Sequence, residues 1–385
     1  MTSFAVRAHC IVAPDDLTYE DFTAGRSAIV RLTEDFPVHV GAPVPDSVCR
    51  TNPDARPIVP RGVALAIEAC HRLEYDPDLH YGLVLALPSL RSESEYIERC
   101  LDAIEDPSEM APLVNYFGDT PLAHVANLLG VEGPRVRVDT ACASGSDALV
   151  VAHQWLESGA LENVIVVAAS AFLTPLGVAG FNSLGALSRE DDLQASRPFD
   201  QKRSGFVMGE GAAAMWLSNR SHSTAPGYLS GYGQSMNATH MTRVPDDIGT
   251  MLHTCTSALA GVPNPAKDLA YISAHGTSTR LNDSAEIRLY RELLGEGRGR
   301  VAISSLKSMI GHCLGAASLI EACVCMDVLT RGNAPPTINL DHPEPKSGLD
   351  FVPNESREVS GDFVLSNTFG FGGHNSSLLF SREPI

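Results

Sequence analysis

The sequence predicts a layered α/β fold of two similar halves, and three observations carry that reading. A strand-like run, a helical run and a second strand-like run follow one another between Arg135 and Ala169. The same kinds of segment return in the second part of the chain, between Val301 and Ser366. The 385 residues include 32 Gly and 25 Pro with only 6% aromatics, a composition of many turns and small side chains that favours closely packed layers. Element by element, Arg135 to Asp139 alternates as a half-buried strand does, Cys142 to Ser158 reads as a helix of small and apolar residues, and Asn163 to Ala169 is a continuous apolar run suited to a buried strand. After an Ala-rich stretch at Gly211 to Leu217, Ser, Thr, Asn and Pro break the pattern between Asn219 and Gly227. That break divides the chain into halves of residues 1–222 and 223–385. In the second half Val301 to Ser305 is a short strand, Cys313 to Thr330 a helix rich in Ala and Cys, and Phe363 to Ser366 a further strand.

Composition narrows the function classes. Lys and Arg number 28 against 46 Asp and Glu, a net charge of −18 that argues against binding nucleic acid or an anionic membrane surface. Met1 to Asp16 lacks a basic segment followed by an apolar core, and no stretch approaches the roughly 18 uncharged apolar residues of a membrane span, so a soluble cytoplasmic protein is expected. Nine scattered cysteines do not form a disulfide framework, and reduced thiols are expected. Cys313, Cys323 and Cys325 lack paired C-x-x-C spacing, and Cys323 and Cys325 point apart on a helix, so no metal site is expected there.

Four segments carry chemistry. In Asp139-Thr140-Ala141-Cys142-Ala143-Ser144-Gly145 a strand ends and a helix begins, with a cysteine in its first turn. Unpaired backbone N–H groups there stabilise a thiolate, which predicts a thiol pKa below the usual value of about 8.5. Ser273-Ala274-His275-Gly276-Thr277-Ser278-Thr279 places a histidine between an apolar run and a Gly/Thr/Ser turn, where backbone can approach a ligand. Ser305-Leu306-Lys307 through Gly311-His312-Cys313 puts a second histidine at a helix start, where the helix dipole keeps imidazole neutral and able to donate an N–H. Asn367 to Asn375 is a Gly-rich turn after a strand, without the spacing or lysine of a phosphate loop.

Together these segments resemble the elongating β-ketoacyl-acyl-carrier-protein synthases of the thiolase superfamily, including the ketosynthases of polyketide assembly. The resemblance runs from about Val114 to the C-terminus and includes Thr174 to Val178, Ala186-Leu187-Ser188, Ser196 to Asp200 and Gly205 to Ala212. It implies a thiolase-like five-layered αβαβα fold of two similar halves, with the active site where they meet. It makes Cys142 the nucleophile that takes an acyl chain from a carrier-protein thioester. His275 and His312 become the pair that supports decarboxylation of a malonyl thioester, and the backbone N–H groups of Cys142 and Phe371 the oxyanion hole. Lys307 matches a motif lysine of electrostatic role, with Glu321 as its supporting acid. Thr277 and Thr279 match positions that bind the phosphopantetheine arm, and Phe371 matches an aromatic gate. Asp283 and Glu286 are matching structural acids. No resident cofactor or metal is implied, because the phosphopantetheine arrives on the acyl carrier protein.

Departures from the family pattern bear on partners. The first strand, Phe4 to Val6, is followed by Ala8-His9-Cys10 leading to Pro14 where relatives have a Gly-x-Gly turn. His374 replaces a threonine of the closing loop and reads as a packed substitute, while Gly185 stands where an arginine commonly receives the carrier. Arg56, Arg61, Lys202 and Arg203 are the alternative docking charges. A dimer is expected, either a homodimer or a heterodimer with a chain-length-factor-like subunit, with the strand at Asn163 to Ala169 offered for sheet continuation. Two other readings are a ketosynthase subunit of a type II polyketide or polyene pathway paired with a non-catalytic chain-length partner, and a non-catalytic scaffold. Intact Cys142, His275 and His312 speak against the scaffold. A degradative thiolase would need a second cysteine near the closing loop, and the last cysteine is Cys325.

Overall fold

The computed structural model describes residues 2–48, 60–88, 120–220, 225–241, 247–297, 299–344 and 347–385. Ten strands form one hydrogen-bonded sheet. The first half contributes β1 (Phe4–Val12), β2 (Gly82–Ala86), β3 (Arg135–Val138), β4 (Asn163–Ser170) and β5 (Gly211–Ser218). The second contributes β6 (Gly227–Met236), β7 (Leu269–Ser273), β8 (Ala302–Ser304), β9 (Phe363–Phe369) and β10 (His374–Ser381).

Each half repeats one topology. The spatial order is β3-β2-β4-β5-β1 in the first and β8-β7-β9-β10-β6 in the second. In both, the first three strands are parallel and the last two antiparallel. The halves join where Phe4–Val6 pairs with Gly227–Leu229.

Helices complete five layers, α-β-α-β-α. α1 (Arg61–Arg72) and α2 (Thr120–Leu129) cover the outer face of the first half, and α5 (Gly249–Ala258) with α6 (Arg280–Leu294) covers that of the second. The middle layer is α3 (Ser144–Glu157) and α7 (Leu314–Arg331), and α7 touches strands of both halves. Strand β4 shows why its sequence is an unbroken apolar run. Val164, Val166 and Ala168 face the central helices while Ile165, Val167 and Ala169 face α1 and α2, so both faces are dry. Helix α7 is buried on nearly every side for the same reason. As its sequence predicts, Cys323 and Cys325 point apart: the first lies against Ala214 of β5 and the second against Ser273 and Ser366 of β7 and β9.

Two expectations change. Strand β1 does not stop at Val6 but continues through Ala8-His9-Cys10 to Val12, with a register shift around Arg7. The turn follows at Pro14-Asp15-Asp16, where both aspartates take positive φ of 52° and 53°. Strand β4 cannot extend a sheet across a dimer, because β2 and β5 already pair with its two edges. At the second half's end β8 is met by Asp350, whose carbonyl accepts from Ile303 N–H at 2.8 Å. The sheet's other end strand is β3. No helix among these residues is long and apolar enough to cross a membrane.

Candidate active site

Three loops that leave the C-terminal ends of parallel strands meet at one point. Cys142 follows β3, His275 follows β7 and His312 follows β8, while the β9–β10 turn brings Phe371 to the same place. Such strand ends are where α/β sheets open a crevice.

Cys142 lies in a 3-10 turn, Ala141–Ala143, one step before α3 rather than in its first turn. Ser144 builds this turn: its hydroxyl accepts from Thr140 N–H at 2.9 Å and donates to Ala141 O at 2.7 Å. Ala141 is held at φ +52°, a strained value for a residue with a Cβ that lifts Cys142 out of the strand's path. Two glycines ease the approach. A Cβ on Gly145 would lie 2.7 Å from Leu319 N of α7, and one on Gly370 would lie 3.3 Å from Cys142 itself.

His312 Nε2 is 3.2 Å from Cys142 Sγ. Its backbone is fixed on both sides, with His312 N–H donating to Val207 O at 2.7 Å and His312 O accepting from Gly209 N–H at 3.0 Å. The His275 and His312 rings stand edge to face with centroids 5.4 Å apart, and the donor atoms of Cys142, His275 and His312 all lie within 4.8 Å of one another. Neither Nδ1 has a hydrogen-bond partner among the described residues. Glu286 clamps the His275 turn, accepting from His275 N–H at 2.9 Å and Gly276 N–H at 2.6 Å, with Tyr290 O–H donating at 2.7 Å. Burial pushes its carboxyl up to about 7 and that of neighbouring Asp283 up to about 6. Asp283 accepts from Phe199 N–H at 2.9 Å.

Burial also decides the state of the trio. The Cys142 thiol is pushed up, because desolvation outweighs the Phe371 N–H and the Lys307 charge that favour thiolate. This overturns the acidified thiol expected from sequence. Both imidazoles are held well below their usual value by burial, and Lys307 nearby adds to the effect, so they are neutral. Lys307 donates to Glu321 in a pair where both side chains are 2% exposed.

Cys142 sits between two cavities. One, of about 440 Å³, runs out past His275, Thr277 and Thr279, whose hydroxyls lie 2.9 Å apart. The other, of about 670 Å³, is almost wholly apolar, with Phe172, Leu176 and Leu314 among its walls. Phe371 and Leu184 line both, and the Phe371 ring stacks on Phe181 at 6.2 Å.

All the site residues read from sequence are thus brought to one place, with Lys307 and Glu321 behind the histidines. The docking charges differ among themselves. Arg203 is 4% exposed and bonded to Asp200 O and Ser284, and Arg61 holds buried Glu210; Lys202 is exposed, and Arg56 lies outside the described residues. Gly185 is explained by its helix. It is the left-handed residue after α4 (Pro175–Ser183), at φ +66°, with Gly185 N–H to Asn182 O at 3.0 Å and Ala186 N–H to Phe181 O at 3.4 Å. His374 lines neither cavity; its ring lies against Gly372, where a Cβ would come within 2.9 Å of it. Sequence reading missed Arg280, an exposed cation on the wall of the smaller cavity, although it directly follows Thr279.

Known proteins share this arrangement. The sequence profiles described as β-ketoacyl synthase N-terminal domain and C-terminal domain match residues 66–223 and 227–341. A 3-oxoacyl-acyl-carrier-protein synthase 2 of Vibrio cholerae is 34% identical over 95% of this chain and 94% of its own length. The Synechocystis protein of the same name is 42% identical over 66% of this chain, a match that spans 63% of that protein. Among solved structures, a β-ketoacyl synthase from Burkholderia phymatum superposes with a TM-score of 0.85 at 28% identity, covering 100% of both chains. A type II polyketide ketosynthase, solved in complex with its acyl-carrier protein and bound to the hexaketide, superposes with a TM-score of 0.86 at 26% identity over 99% of both chains. By sequence profile, full-length identity and fold, this chain belongs to the β-ketoacyl synthase family.

Proposed function

We propose that this chain catalyses decarboxylative condensation of an acyl-cysteine with malonyl-acyl-carrier protein, giving a β-ketoacyl thioester longer by two carbons. The observation that carries this is the convergence of one thiol and two neutral imidazoles at the junction of a polar channel and an apolar cavity. A thiol suits thioester exchange: the Cys142 sulfur attacks the acyl carbonyl, the carrier's C–S bond breaks, and the thiol proton leaves with the carrier thiol. The N–H groups of Cys142 and Phe371, both aimed at the sulfur, then serve the carbonyl oxygen as it becomes negative. Neutral imidazole N–H groups suit the second stage. As the malonyl C–C bond breaks and carbon dioxide leaves, His275 and His312 hold the enolate oxygen. The enolate carbon attacks the acyl-cysteine, the C–S bond to Cys142 breaks, and the released thiolate takes up a proton.

Lys307, paired with Glu321, has an electrostatic role that adds to burial in keeping both imidazoles neutral. Thr277 and Thr279 face a phosphopantetheine arm that arrives on the carrier, so the chain needs no resident cofactor, and Phe371 separates arm from acyl tail. Residues 1–222 and 223–385 act as two units that meet at this site. The cytoplasm is the compartment assigned, in keeping with seven free cysteines among the described residues. A second reading, a ketosynthase subunit paired with a non-catalytic chain-length partner, is favoured by one feature. The apolar cavity's outer wall leaves Leu176 49% and Leu184 56% exposed, as if another subunit covers it.

Intact-protein mass spectrometry after incubation with acyl-carrier thioesters tests the assignment. The expected result is one acyl mass added to the native chain and none to Cys142→Ala. Acylation of Cys142→Ala would show that another residue is the nucleophile. Zinc held tightly by the purified protein at Cys142, His275 and His312, whose donor types also suit a soft divalent ion, would likewise defeat it.

A further inference from the structure

Helix α4 forms one wall of the apolar cavity, and its contribution follows helical spacing. Leu176, Gly180 and Leu184 lie one turn apart on one stripe, with Gly177 and Phe181 beside it. A leucine one turn away on either side makes position 180 the natural place for a third apolar side chain. It is instead a notch.

Among the described residues nothing requires glycine there. Gly180 is not among the residues at positive φ, and a Cβ built on it meets no heavy atom of the described residues within 4 Å. The neighbouring wall glycines differ. A Cβ on Gly177 would lie 2.4 Å from Phe172 O, and one on Gly315 would press on Pro88 at 3.3 Å. Glycine inside a helix is also less favourable than alanine. Gly180 therefore disfavours its own helix without easing any contact among the described residues. What it does provide is space in a cavity that begins at Cys142.

We propose that Gly180 is a specificity-determining residue whose missing side chain leaves room for the distal part of the acyl chain carried on Cys142. The proposal rests on the acyl-enzyme reading above. It predicts that a side chain at 180 shortens the chain the cavity accepts, since even one methylene in an apolar pocket changes discrimination by roughly tenfold or more.

The test is competitive loading of the full chain with an equimolar mixture of butyryl-, octanoyl- and palmitoyl-carrier thioesters, read by intact mass. Gly180→Leu is expected to lower the ratio of palmitoyl to butyryl enzyme by roughly tenfold or more relative to the native chain. Gly180→Ala is expected to move the ratio the same way by less, with a raised Tm because the helix gains a better former. An unchanged ratio in a folded Gly180→Leu, or in Gly180→Ala if the leucine variant does not fold, overturns the assignment and leaves the acyl-enzyme reading standing. Failure of the native chain to load any of the three thioesters overturns that reading and this inference with it.

Discussion

Cys142 lies in surroundings where two effects oppose each other. The Phe371 N–H, its own N–H and the Lys307 charge favour thiolate, while burial favours thiol, and burial wins. At neutral pH the thiol is therefore protonated, and the thiolate fraction grows as pH rises. Alkylation by iodoacetamide, followed at the Cys142 peptide, is expected to accelerate with pH and show no plateau below 9, the unshifted value. A plateau near neutrality would restore the acidified thiol that the bare sequence predicts. The histidines respond in the opposite sense. Because folding lowers both values well below 6.5, they bind no proton as pH falls through 6.5, and their N–H donors stay available to the enolate of the proposed reaction. Carbon dioxide release from malonyl thioester is thus expected to show no loss of rate centred at pH 6.5. His275→Ala or His312→Ala should lower that release by about 10² to 10³ while affecting acyl transfer far less. Undiminished release by both variants would rule out this division of labour.

Elements differ in how legible they were. Strands β3 and β4 and helices α3 and α7 end within about two residues of the sequence reading, since their apolar runs are long and bounded by Gly, Pro or turn residues. Strand β5 was seen only as Ala-rich, because alanine is a poor strand former and burial on both faces overrides that preference. Strand β6 carries Gly231 and Gly233, which weaken any strand signal yet let α5 lie directly on the sheet. A Cβ at Gly233 would come 2.0 Å from Thr254 O. The site was more legible than the fold around it, because Cys142, His275, His312 and Phe371 each sit in a short motif at a strand end. The cavities were not legible, because they are assembled from segments far apart in sequence. Between elements, Lys307 on a short helix, Lys307–Ile310, is tied to Glu321 of α7, with both side chains buried. Lys307→Met leaves a carboxylate buried without its cation and is expected to cost about 3–5 kcal/mol in urea unfolding. Lys307→Met combined with Glu321→Met removes both charges and should recover part of that loss. Equal losses in the single and double variants would mean the lysine acts by packing alone.

At the scale of the whole molecule, duplication explains why one site exists and where it lies. Two halves of identical strand order place their crevices face to face, the first presenting Cys142 and the second His275 and His312, so neither half holds the chemistry alone. The same topology bears on where the expected partner would join. A sheet of ten strands has two ends; Asp350 meets β8, whereas β3 is the end strand of the first half, with Arg135 exposed and Val136 to Val138 only half-buried. An end strand is the part of a sheet that another chain reaches first. Because β3 leads straight into the Cys142 turn, a subunit added there stands beside the active site. Native mass spectrometry is then expected to show an assembly larger than the 41.0 kDa chain, whether twice that mass or the mass with a different subunit. Hydrogen exchange separates the two candidate strands. On dilution to the monomer, amides of Arg135–Val138 should exchange faster, while those of Asn163–Ser170 stay protected because both edges of β4 are paired within one chain. Faster exchange at Asn163–Ser170 with no change at Arg135–Val138 would move the interface away from this end of the sheet.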